Sequence, residues 1–151
     1  MEKLTTILET AKQRALEKHL PYAGALTPKE AQQVLQLTSN AKLVDVRSSA
    51  EIDLVGRIPL ASHIEWEFYP GWTANPDFLT QLSVQIDKEM LVMFICRSGG
   101  RSHHAAVAAT KLGYAECYNV LEGFEGEAEP QTKQRGKING WKVAGLSWAN
   151  S

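Results

Sequence analysis

Apolar residues recur every three or four positions at the start of the chain, with Leu4, Ile7, Leu8, Ala11 and Ala15 on one face. That period predicts an N-terminal amphipathic helix over about the first twenty residues, its stripe docked on the rest of the domain. Pro21 and Gly24, within LPYAGAL, end it. Thr27-Pro28-Lys29-Glu30 has the form of a capping box with proline at the first helical position. It predicts a helix over 28–37 that buries Ala31, Val34 and Leu35. The pattern then shortens: KLVDV over 42–46 is a β-rich segment, followed by polar Arg47-Ser48-Ser49 and a helical turn over 50–55. Gly56 and Pro59 punctuate the next stretch, and 63–66 reads as another short strand. Asn75-Pro76 opens a helix to about 86, and 91–95 is wholly apolar. A helix over 101–112 closes at Gly113, and 117–120 is a last strand. Short strands alternating with helices predict the α/β class: a central parallel sheet with helices on both faces. Ligands bind such sheets beyond the carboxyl ends of the strands. Cys96 stands at one such end.

The chain of 151 residues, 44% hydrophobic, fits one domain over 1–151, with 1–24 as a helical extension. Sixteen basic residues nearly balance seventeen acidic ones, for a net charge of −1. A general nucleic-acid binder carries a clear basic excess, so nucleic acid is not expected as a partner. The N-terminal stretch has no continuous apolar core, and no run approaches the roughly 18 apolar residues of a membrane span. A cytoplasmic protein with no membrane partner is expected. Cys96 and Cys117 are too few for a disulfide scaffold.

A free thiol is mostly protonated at neutral pH and a modest nucleophile. Three features around Cys96 favour its thiolate. The loop Arg97-Ser98-Gly99-Gly100-Arg101 enters a helix, so unpaired N–H groups and the positive dipole end point toward the sulfur. Gly99 and Gly100 permit positive φ and close backbone approach. Arg97 and Arg101 add fixed positive charge. The competing reading is an inert buried cysteine before a glycine turn, which accounts poorly for the two arginines. Spacing separates two chemistries. A phosphate-cradling loop of the tyrosine-phosphatase kind places its arginine six positions after the cysteine. Here the arginine comes after five, C-x4-R, and the smaller cup suits one sulfur better than a phosphoryl group.

LVDVRSSAEIDLVGRIPLASHI followed by FICRSGGRS resembles a single-domain rhodanese, a sulfurtransferase, over about 26–120 with a rejoining near Trp141. The resemblance implies a rhodanese-like α/β fold in which Cys96 is the catalytic nucleophile that becomes a persulfide. It places the backbone N–H groups of Arg97, Ser98, Gly99, Gly100, Arg101 and Ser102 around the terminal sulfur. Arg97 and Arg101 would receive the anionic donor. Asp45 and Arg47, of the D-V-R motif, would be structural. The implied reaction moves sulfur from a donor such as thiosulfate to cyanide or a thiol, with no metal and no cofactor. Protein donors or acceptors are also open, as in a relay toward cofactor or tRNA thiolation. A phosphatase or arsenate reductase is disfavoured by the loop length, and a binding module by the intact Cys96.

The chain also departs from the family pattern. Arg57 stands in Gly56-Arg57-Ile58-Pro59-Leu60-Ala61, and is expected to be solvated. A charged insertion over 124–139 separates Leu121-Glu122-Gly123 from Gly140-Trp141. Its expected form is a solvated surface loop, the alternative a lid or docking surface near the sulfur. His103 and His104 point about 100° apart on a helix and make no metal pair. Trp66, Phe68, Tyr69 and Trp72 are expected in the core or at a pocket rim. Cys117 is expected as a small buried hydrophobe.

Overall fold

The computed structural model describes residues 2–150. Helix α1 (Glu2–Lys18) leads into β1 (Gly24–Leu26), α2 (Pro28–Leu37), β2 (Ala41–Asp45) and α3 (Ser49–Val55). Three two-residue strands follow: β3 (Ser62–His63), β4 (Glu67–Phe68) and β5 (Thr73–Ala74). The order closes with α4 (Phe78–Gln85), β6 (Leu91–Ile95), α5 (Gly100–Leu112) and β7 (Glu116–Val120). Five strands form one parallel sheet in the order β1-β7-β6-β2-β3, and β4 pairs with β5 in a separate antiparallel hairpin.

The alternation along β6 divides the core. Met93 and Ile95 face a cluster with Ile7, Ala11, Ala31, Val34 and Trp141, under α1 and α2. Val92, Phe94 and Cys96 face the other cluster, with Phe78, Leu82, Ala105, Ala106 and Ala109 from α4 and α5. A strand buried on both faces must be apolar throughout, which is why LVMFI shows no period of two. The expected two-sided arrangement is therefore present.

Several elements differ from expectation. The stretch around Gly24, read as the end of a helix, goes on into edge strand β1. The strand expected over 63–66 is shifted to Ser62–His63. Asn75 and Pro76 lie before α4 rather than in it: the Asn75 side chain accepts from Asp77 N–H, and the helix starts at Phe78. The capping box at Thr27 is formed, with Glu30 N–H donating to the Thr27 hydroxyl and Thr27 N–H to Glu30. Glu30 also takes both terminal nitrogens of Arg14, at 2.6 and 3.0 Å, which ties α1 to α2.

Candidate active site

Cys96 follows β6 directly, at the carboxyl end of a central strand. The chain then turns through Gly99, whose φ of +112° only glycine adopts without strain, and enters α5 at Gly100. Gly100 itself keeps negative φ, so one glycine, not two, makes the turn. The Gly99 N–H donates to the sulfur at 3.1 Å. On another side the Ser102 hydroxyl lies 3.3 Å from the sulfur and donates to Asn119 Oδ1 at 2.6 Å. The Asn119 amide in turn donates to the Gly99 carbonyl at 3.2 Å. Cys96 is 1% exposed, so the loop folds over the sulfur instead of presenting it. Burial disfavours a bare thiolate. Of these two polar neighbours only the Gly99 N–H donates to the sulfur, since the Ser102 proton goes to Asn119.

The two arginines take different positions. Arg97 and Ser98 are exposed, and Arg97 makes no ion pair among the described residues. Arg101 grips both carboxylate oxygens of Glu51 at 2.7 and 2.9 Å and lies 5.0 Å over the Trp72 ring. Burial works against its charge, but Glu51 outweighs burial and holds Arg101 above its ordinary value, with Cys96 adding in the same direction. Arg101 is thus engaged at rest, and among the described residues Arg97 is the rim arginine with no ion pair.

Glu51 also accepts from the Ser48 N–H and hydroxyl, closing a capping box on α3. Burial would raise its carboxyl, but Arg101 and Ser48 hold it below the ordinary range. Such a group contributes fully above the unfolded glutamate value of about 4.3, and its contribution is lost as pH falls through the lower folded value. Thermal melts recorded between about pH 5 and pH 3 should therefore fall less steeply for Glu51→Gln than for the wild type.

Asp45 and Arg47 lie inside the protein, 2% and 0% exposed. Arg47 Nε sits 3.0 and 3.1 Å from the two Asp45 oxygens, and a terminal nitrogen donates to Asp45 at 2.7 Å and to the Gly56 carbonyl at 2.8 Å. The guanidinium stacks 4.1 Å over Phe124. That contact links the pair to the charged insertion, whose first residues were not expected to be buried. Phe124 N–H donates to the Cys96 carbonyl, and the N–H groups of Glu125 and Gly126 to the Arg97 carbonyl. The outer part, including Glu127, Lys133 and Lys137, is exposed as expected. The base of the insertion is thus a buttress under the site loop, a role its charge pattern conceals.

Gly123 sets that approach. Its φ is +67°, and a Cβ there would lie 2.5 Å from the Arg97 carbonyl carbon and oxygen. Gly123→Ala should lower stability by about 1–3 kcal/mol and displace the loop, read as a lower melting temperature.

The remaining residues are placed as follows. His103 turns to Tyr22, Nδ1 at 2.8 Å from the hydroxyl, and burial with neighbouring His104 lowers its affinity for a proton. Trp66 packs on Phe78, while Tyr69 and Trp72 line a groove of about 280 Å³ with Leu54, Arg97 and Glu125. Arg57 is exposed. Both cysteines are free thiols; burial pushes Cys117 up to about 11. Asn119 was not anticipated, because an asparagine in a strand carries no sequence signal for a site far along the chain.

The family model described as Rhodanese-like domain matches residues 27–129. The crystal structure of Rv0390 from M. tuberculosis superposes with a TM-score of 0.79 at 40% identity, covering 86% of this chain and 99% of that one. An uncharacterised protein of Rickettsia conorii is 38% identical over 121 residues, 79% of this chain and 91% of its own. The thiosulfate sulfurtransferase GlpE of Tolumonas auensis is 32% identical over 97 residues, 64% of this chain and 80% of its own. The family match takes in the site loop, the Asp45–Arg47 pair and the base of the insertion, and the chain belongs to the rhodanese-like domain family.

Proposed function

We propose that this chain is a sulfurtransferase whose Cys96 thiolate takes the sulfane sulfur of a small anionic donor, such as thiosulfate, and passes it to a thiophilic acceptor. The observation that carries this reading is the short C-x4-R loop closed around one sulfur, with the Gly99 N–H at 3.1 Å and the Ser102 hydroxyl at 3.3 Å. Arg97, exposed and unpaired at the rim, supplies the charge that attracts an anion.

In the first step the thiolate attacks the outer sulfur of thiosulfate. A bond forms from Cys96 Sγ to that sulfur, the sulfur–sulfur bond of the donor breaks, and sulfite leaves with the electron pair. In the second, cyanide or a thiolate attacks the terminal sulfur, and the electron pair returns to Sγ. Covalent storage between the two half-reactions gives ping-pong kinetics.

A second reading, a carrier that exchanges persulfide with other proteins, is favoured by the groove beside Arg97. Leu54, Tyr69 and Trp72 there are 84%, 56% and 43% exposed, an apolar rim larger than a small anion needs. Intact-protein mass separates the two. Incubation with excess thiosulfate is expected to add one sulfur atom, which cyanide then removes. Loading by a protein persulfide but not by thiosulfate supports the carrier. Loading by neither overturns sulfur transfer altogether.

A further inference from the structure

Ser102 has one hydroxyl proton and two neighbours that want it. Asn119, 5% exposed on β7, donates its amide N–H to the Gly99 carbonyl at 3.2 Å. The opposite amide orientation would set Asn119 Oδ1 against that carbonyl, two acceptors face to face, so the chemistry fixes which end faces Ser102. A carbonyl oxygen only accepts. The Ser102 proton is therefore committed to Asn119 Oδ1, at 2.6 Å, and a hydroxyl lone pair faces Cys96 at 3.3 Å. A lone pair suits an S–H donor and opposes a sulfur anion.

We propose that Asn119 is a positioning residue for the Cys96 sulfur: it holds the Ser102 proton away from the sulfur, so that the hydroxyl offers Sγ an acceptor and not a donor. The ionised sulfur already has the Gly99 N–H as a donor at 3.1 Å; it gains a second from Ser102 only if that hydroxyl rotates, which leaves Asn119 Oδ1 without its donor. Asn119 thus sets how hard the site is to arm. The assignment deepens the sulfur-transfer reading, on which its functional meaning rests. It fits a sulfur that the loop keeps 1% exposed at rest.

Of the charged and titratable groups near the loop, Arg101 on α5 acts on Cys96 and is itself faced by Glu51 on α3 and Glu67 on β4, Arg97 follows Cys96 in the loop, and Tyr22 before β1 bonds His103 on α5 and Asn119. All are shared by the variants that test the assignment. Asn119→Leu removes the acceptor and frees the Ser102 proton. Asn119→Asp keeps an acceptor. Both lose the amide bond to Gly99; they differ in the Ser102 arm, in the aspartate charge and in the contact with Tyr22, and a Ser102→Ala background separates the first from the others.

The readout is thiolate ultraviolet absorbance against pH, each protein measured relative to the same protein carrying Cys96→Ser. Asn119→Leu is expected to titrate about one pH unit below Asn119→Asp, the scale of a hydrogen bond to an ionised group. In a Ser102→Ala background the gap should shrink to the part due to the aspartate charge and the Tyr22 contact. A gap of equal size with and without Ser102 overturns the assignment, as does no gap at all. Should Asn119→Leu fail to fold, Asn119→Ala removes the same acceptor. Sulfur loading from thiosulfate on these proteins distinguishes the two ideas. A Ser102-dependent gap in proteins that never load leaves Asn119 in its role and defeats sulfur transfer; loading without the gap defeats only the role of Asn119.

Discussion

Cys96→Ser is expected to gain no sulfur from thiosulfate and to lose turnover to the uncatalysed background. The exchange is small in volume, and the serine hydroxyl inherits polar partners, the Gly99 N–H and the Ser102 hydroxyl. The fold should therefore melt close to the wild type. Chemistry is what disappears. An alcohol oxygen is far too basic to ionise in this loop at neutral pH, and it forms no counterpart of a persulfide. Retained turnover would require another sulfur carrier, and the chain has one other cysteine. Cys117 is fully buried on β7, and its thiol is pushed up to about 11. Cys117→Ser is accordingly expected to load as the wild type does. Sulfur found on Cys117 by peptide mass would overturn the assignment of Cys96.

Elements with a clear local signal are present as expected. The Thr27 capping box needs only neighbouring residues, and the apolar run over 91–95 declares a strand buried on both faces. Edge strand β1 is different. Gly24 looks like punctuation, yet a Cβ there would lie 2.8 Å from the Ala11 backbone and the Tyr118 ring, because α1 crosses β1 at that point. Close approach between distant segments leaves no local trace. The site divides in the same way. The C-x4-R spacing exposes Cys96 and its loop as a unit, since its parts are consecutive. The Glu51 partner of Arg101, the Asn119 partner of Ser102 and the Phe124 face of Arg47 come from elements 50, 17 and 77 residues away. Charge alone predicts that Arg101 is available to substrate, and only the fold reveals that Glu51 occupies it.

Asp45→Ala is expected to be the most destabilising of these single substitutions, because it strands a charge. Arg47 is 0% exposed and three of its side-chain contacts go to the Asp45 carboxylate, which also accepts the Arg47 N–H at 3.0 Å. Without Asp45 the guanidinium keeps only the Gly56 carbonyl and the face of Phe124, and one of its terminal nitrogens already lacks a hydrogen-bond partner. Removing one member of a buried pair costs about 3–5 kcal/mol. For a chain of this size that lowers the melting temperature by roughly 10 °C or more. The joint replacement Asp45→Leu with Arg47→Met removes both charges and should lose less than Asp45→Ala alone, since no ion is left unpaired. Below its melting temperature Asp45→Ala should still load sulfur on Cys96, because the pair touches neither the sulfur nor its two polar neighbours. A variant that melts like the wild type but no longer loads would make Asp45 part of the chemistry. Both measurements on one preparation decide whether the Asp45–Arg47 pair supports the loop or acts in it.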